Sequence, residues 1–126
     1  MTEYTIGEIG EKVVEMLLSG ETDELRRLRN QYEAAETTLE RSTTGFFVHF
    51  DVPDDTEPIE TKERTILRGV YATVDCLQHG MDFMLFVDDG RLSMLEGYTH
   101  QEELPDDMET VHGVQLESSD DDSSTE

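Results

Sequence analysis

The chain has 126 residues, with 31 Asp and Glu against 9 Lys and Arg, a formal net charge of −22. That balance excludes a basic surface for the phosphates of nucleic acid, and no apolar run approaches the roughly 18 residues of a membrane span. The single cysteine, Cys76, excludes an intrachain disulfide and a cysteine-based metal cluster.

The acids occur in nearly every stretch of ten residues, interleaved with apolar positions. In dilute buffer such a charge opposes compaction. In multimolar salt the Debye length falls to about 3 Å and the repulsion is screened. Only Lys12 and Lys62 are lysines; the other cations are Arg. Scarce lysine suits brine, where its long apolar stem is salted out. The pattern predicts a soluble protein of halophilic type, similar to the cytoplasmic proteins of haloarchaea. The start, Met-Thr-Glu-Tyr-Thr, lacks the basic and apolar regions of a signal peptide. A cytoplasmic location is therefore expected. Rival readings are a nucleic-acid mimic or immunity-type inhibitor, and a disordered acidic protein. Evenly spread charge and regular apolar spacing oppose both.

Thr5 and Glu8 have the spacing of a capping box, and Ile6, Ile9, Val13, Met16 and Leu17 recur at helical spacing. Gly20 is placed to end this helix in the left-handed conformation. A second helix is expected over residues 22–39, capped by Thr22 or Asp23, with Leu25, Leu28, Tyr32, Ala35 and Leu39 as its apolar stripe. The short connection predicts an antiparallel helix hairpin.

Beyond residue 44 the period changes to two. Phe46, Val48, Phe50 and Val52 share one strand face, and Phe47, His49 and Asp51 the other. Pro53 and Pro58 bracket an acidic loop. A second strand is expected over 66–77, with Val70, Ala72, Val74 and Cys76 on one face and Tyr71, Thr73 and Asp75 opposite. Residues 83–87 form a short apolar strand, Asp88-Asp89-Gly90 a hairpin turn, and residues 91–98 the return strand. A weak fifth strand falls near 110–116. Residues 117–126 contain no apolar side chain and are expected to form a disordered acidic tail. The fold expected is α+β: one domain over 1–116, with the helix hairpin packed on a four- to five-stranded antiparallel sheet.

Glu96, Tyr98 and His100 alternate onto one side if the return strand continues that far. An acid, a phenol and an imidazole there suit general acid–base work or ligand binding. A solvated strand end is the plainer account. His49 and Asp51 share a face and could ligate a metal with His100 or His112, but no HExxH or cysteine-pair spacing supports this. Cys76 reads as a small buried hydrophobe. Arg26, Arg27 and Arg29 form a basic cluster whose acids stand at partner spacing, Asp23 to Arg27 and Arg29 to Glu33. A salt-bridged helix face follows, not a DNA-reading helix.

The segments Thr44-Gly45-Phe46-Phe47 with Val52-Pro53, and Leu95-Glu96-Gly97-Tyr98-Thr99 after Asp89-Gly90, resemble a family of small prokaryotic proteins without an established activity. The resemblance covers roughly residues 20–105. It implies a helix pair followed by a sheet and assigns no catalytic residues. Those proteins often carry Trp-Pro after the second segment, where this chain has Leu104-Pro105.

The function expected is a non-enzymatic protein-binding module with no cofactor and no metal. Its partner is another protein or a second copy, and its contact surface is the sheet face bearing Phe47, His49, Tyr71, Glu96, Tyr98 and His100. Two alternatives stand beside it. One is the inhibitor or nucleic-acid mimic acting through carboxylates. The other is a small enzyme or ligand carrier using Glu96, Tyr98 and His100.

Overall fold

The structure, a computed structural model, describes residues 3–60, 64–74, 77–103 and 110–118. It is α+β, with two helices and an antiparallel sheet. In chain order the elements are β1 (Glu3–Thr5), α1 (Ile6–Leu17), α2 (Asp23–Ala34), β2 (Glu36–Ser42), β3 (Gly45–Asp51), β4 (Thr65–Leu67), β5 (Val70–Thr73), β6 (Met81–Asp88), β7 (Arg91–Thr99), β8 (Thr110–His112) and β9 (Gln115–Ser118). The main sheet runs β2-β3-β7-β6-β5-β9. β4 joins β6 beyond the end of β5, and β1 pairs separately with β8.

The capping box forms as its spacing predicts. The Thr5 N–H donates to Glu8 Oε1 at 2.9 Å, and the Glu8 N–H donates to Thr5 Oγ1 at 3.0 Å. Ile6, Ile9, Val13 and Val14 are buried beneath α1. Each such side chain contributes about 1.5–3 kcal/mol by leaving water. The helix ends at Leu17 with Leu18 as its C-cap, and Gly20 is not among the left-handed glycines, so the expected glycine cap is corrected. Instead Arg29, on α2, donates to the carbonyls of Leu18 and Gly20. A cation from the next helix satisfies acceptors at the end of α1, where its dipole is negative.

Thr22 caps α2, accepting the Leu25 N–H at 3.2 Å. The helix then stops at Ala34, five residues before the expected end, because Ala35 is already extended at φ −77°, ψ 147°. Glu36-Thr37-Thr38-Leu39 enters the sheet as β2. β-Branched Thr favours a strand. Pairing with β3 from Glu36↔Asp51 to Ser42↔Gly45 satisfies backbone groups that a longer helix would have satisfied internally. The step of four from Ala35 to Leu39 fits helical spacing and strand alternation alike.

The expected strand over 66–77 is two short ones, β4 and β5, separated at Arg68 and Gly69, where Gly69 has φ 120°. Both lie along the same edge of β6. The Asp89-Gly90 turn has φ 52° and 80°, as the hairpin signal requires. The weak fifth strand is also two, β8 and β9, with Gly113 at φ 67° between them. Glu117 and Ser118, assigned to the tail, pair with Tyr71 and Val70 in β9. Cys76, Asp75 and residues 119–126 lie outside the described residues.

Both helices pack on one face of the sheet. Phe46, Phe83, Leu85, Leu95 and Ile9 form the centre of the core between the layers. Among the described residues, no helix is long and apolar enough to cross a membrane.

Candidate functional site

Cross-strand register assembles a second face, away from the helices. Directly opposed residues of a ladder point the same way. One row therefore runs Thr38↔His49↔Met94↔Phe86, the next Glu40↔Phe47↔Glu96↔Met84, and the third Tyr98↔Asp82↔Tyr71↔Glu117. Five of the residues singled out from the sequence, Phe47, His49, Tyr71, Glu96 and Tyr98, stand on this face, and His100 follows directly after β7. Phe47, Tyr71, Met84, Met94, Glu96 and Tyr98 are half-buried, whereas His49 and His100 are exposed.

Each imidazole has a carboxylate partner that sequence reasoning did not assign. His49 Nε2 lies 2.8 Å from Glu40 Oε1, and its ring stacks beside Phe47 at 6.3 Å. His100 Nε2 lies 2.6 Å from Asp82 Oδ2, and Tyr98 meets the His100 ring edge-on at 5.7 Å. Asp82, not Glu96, is thus the acid beside His100. Four residues of extended chain separate Glu96 from His100, about 13 Å. Glu96 is instead opposite Met84 and Phe47. The expected Glu96–Tyr98–His100 trio is replaced by Asp82–Tyr98–His100, because the neighbouring strand supplies the acid.

The Tyr71 hydroxyl donates to Glu117 Oε1 at 2.8 Å, tying β5 to β9 across this face. Arg68 reaches Met84, its Nη2 3.7 Å from Sδ. A shallow cleft between them is lined by Arg68, Gly69, Asp82, Phe83, Met84 and Tyr98. Beside it, Glu102 accepts the backbone N–H of Gln78 and of His79, each at 2.8 Å. Those two donors hold the Glu102 carboxyl below the usual carboxylate range, with His79 and His100 adding attraction. At the other end of β6, Asp88 accepts from Arg64 at 2.8 and 3.2 Å, and this lowers its pKa. The Arg64 guanidinium also covers the Phe86 ring at 5.0 Å.

Among the described residues, no three His, Cys, Asp or Glu side chains converge to hold a metal ion. His49 is committed to Glu40, and the His112 side chain is outside the described set. The arginine cluster also differs from expectation. Only Arg26 pairs within the helix, with Asp23 at 3.5 Å. Arg27 turns to Glu57 at 3.4 Å, and Arg29 to the end of α1. The 52–60 loop and the α1 terminus lie closer to these side chains than their helical neighbours do.

No known protein family, no curated protein and no solved structure matches the chain.

Proposed function

We propose that the chain is a non-enzymatic protein-binding module of a salt-adapted cytoplasm, and that the helix-free face of its sheet is the contact surface. The observation that carries this is the union of Phe47, Tyr71, Met84, Met94 and Tyr98 in adjacent register rows, with no helix above them among the described residues. Aromatic rings give large, stiff contact area, and methionines adapt to the shape that meets them. Polar tips around them, His49 with Glu40, His100 with Asp82 and Tyr71 with Glu117, suit an interface rim.

The distribution of acids favours this reading over the mimic or inhibitor. Carboxylates stand on both helices (Glu8, Glu11, Glu15, Asp23, Glu24), in the loop (Asp54, Asp55, Glu57) and on the open face (Glu40, Asp82, Glu96). A mimic needs them massed on one side. The ligand-carrier alternative has one observation in its favour, the cleft where Tyr98, Asp82 and Arg68 converge beside His100.

Capture from a lysate held in multimolar potassium chloride tests the proposal. The tagged chain retains a specific protein, and the Phe47→Ala, Met84→Ala double variant releases it while keeping its circular dichroism spectrum. Retention of the same protein by the folded double variant overturns the assignment of the surface. Release of the bound protein by a small ligand protected at Tyr98 favours the carrier.

A further inference from the structure

Among the described residues, β2 is paired on one side only. It runs seven residues in unbroken register against β3, with no proline and no bulge. These are the usual devices that blunt a sheet edge, and Glu40, one of its charges, is turned inward to His49. Its Leu39 is the most exposed large apolar residue among those described, at 44%. Leu39 also terminates a row that runs from β2 to β4 on the helix side: Leu39↔Val48↔Leu95↔Leu85↔Leu67. Beside that end lies a small cavity of about 100 Å³, lined by Leu39 with Val14, Tyr32, Val48 and Phe50.

The direction of the backbone groups follows from the turn. Ser42 and Gly45 close the two-residue connection Thr43-Thr44, so the ladder groups of Ser42, Glu40, Thr38 and Glu36 face β3. By alternation those of Thr37 and Leu39 face away from it. A strand added here must oppose outward groups to outward groups, which restricts the register to steps of one residue in the position of a two-fold axis. Centred on Thr38, a second copy of β2 sets Glu36 against Glu40 twice. Centred on Glu40, it sets Glu40 against itself. Centred on Leu39, it opposes Leu39 to Leu39, Thr37 to Arg41, Thr38 to Glu40 and Glu36 to Ser42, with no like charges facing.

We propose that β2 is a dimerisation edge: a second copy of this chain adds its own β2 antiparallel, with the two-fold axis at Leu39, joining two sheets into one. The apolar row then continues through the axis into the partner's core. Charge complementarity selects the register, and the exposed Leu39 supplies the buried centre. The contact is small, so the dimer is a concentration-dependent one. This edge is separate from the open face and does not depend on it.

Sedimentation equilibrium of the full chain in multimolar potassium chloride tests it. The expected result is an average mass rising with concentration toward twice that of the chain, and Leu39→Lys holding at the monomer mass with an unchanged far-ultraviolet spectrum. A second measurement fixes the register and keeps the test decisive if Leu39→Lys does not fold. In a Cys76→Ser background, Leu39→Cys places two thiols across the axis. Their Cα atoms lie about 5.5 Å apart in a hydrogen-bonded pair, within the roughly 4.4–6.8 Å that a disulfide spans. Mild oxidation then cross-links Leu39→Cys rapidly and Glu36→Cys slowly. A constant monomer mass up to millimolar protein overturns the proposal. So does a dimer that survives Leu39→Lys, or one that cross-links equally from both positions. Leu39→Lys leaves the open face intact, so failure here and failure of the binding surface are distinguishable.

Discussion

Gln31 Oε1 accepts the backbone N–H of Leu92 at 2.9 Å, beneath a side chain with no exposure to solvent. The same amide donates through Nε2 to the carbonyls of Gly90 at 2.9 Å and Glu57 at 3.0 Å. One side chain on α2 therefore satisfies the β6–β7 turn and the 52–60 loop together. Truncation removes this partner from the buried Leu92 N–H and the part-buried Glu57 carbonyl, while the Gly90 carbonyl keeps the Ile59 N–H at 2.9 Å; an orphaned buried group costs about 1–3 kcal/mol. Gln31→Ala is expected to lower stability by about 1–3 kcal/mol. Denaturant melts at constant salt check this, and a loss below about 1 kcal/mol would mean that water replaces the amide.

The two glycine-bearing segments of the sheet meet each other. Phe46 is opposite Gly97, and the Phe46 and Phe83 rings pack edge to face at 6.2 Å over the space a side chain would take. A Cβ on Gly97 would stand 2.7 Å from Phe46 Cε1 and 2.9 Å from Phe83 Cε1. Gly97→Ala is expected to destabilise by about 1–3 kcal/mol through overpacking. The double variant Phe46→Leu with Gly97→Ala should recover part of that loss. Calorimetry on the four proteins of this cycle measures the coupling.

Much of this arrangement is legible in the residues, and some of it is not. The capping box, the alternation of β3 and the Asp89-Gly90 turn are local, and their physics is complete within a few positions. β2 was hidden because Ala35 and Leu39 satisfy helical and extended spacing alike, and only the pairing with β3 decides between them. The Asp82–His100 contact was hidden by a bulge. Counting back from Asp88↔Arg91 puts Asp82 opposite Gly97. Ser93 is an extra residue between Leu92 and Met94, however, and it shifts the partner to Tyr98. A one-residue insertion in a ladder leaves no mark in composition. The division of 110–118 between two sheets is equally non-local, since β8 and β9 are each specified by strands more than forty residues away.

The Glu102 carboxylate titrates below its ordinary value of 4.5, first because the Gln78 and His79 N–H groups bond its charged form. A depressed folded pKa contributes stability that is full above 4.5 and disappears as pH falls through the folded value. Asp88, held by Arg64, acts in the same direction. Carboxyl NMR should give a Glu102 midpoint under 4.5, and Glu102→Gln should flatten the acid limb of the melting-temperature profile. A midpoint at or above the ordinary value would remove the two backbone bonds from the account.

The proposed salt adaptation makes a separate prediction. At a net charge of −22, lowering salt lengthens the Debye screen from about 3 Å at 1 M to about 10 Å at 0.1 M. Repulsion among Glu8, Glu11 and Glu15 on α1, and among Asp54, Asp55 and Glu57, then rises together. The cooperative melt is expected to fall steadily on dilution from multimolar potassium chloride, with loss of structure in dilute buffer. A melting temperature independent of salt would refute the adaptation while leaving both proposed surfaces standing.

β1 has its partner at residues 110–112, and β5 receives β9 from residues 115–118. A nascent chain emerging from the ribosome therefore carries Glu3–Thr5 unmatched until residues 110–112 have been made. Cutting the gene between α2 and β3 would yield two halves that must find each other in solution, since β8 in the second half fastens β1 in the first.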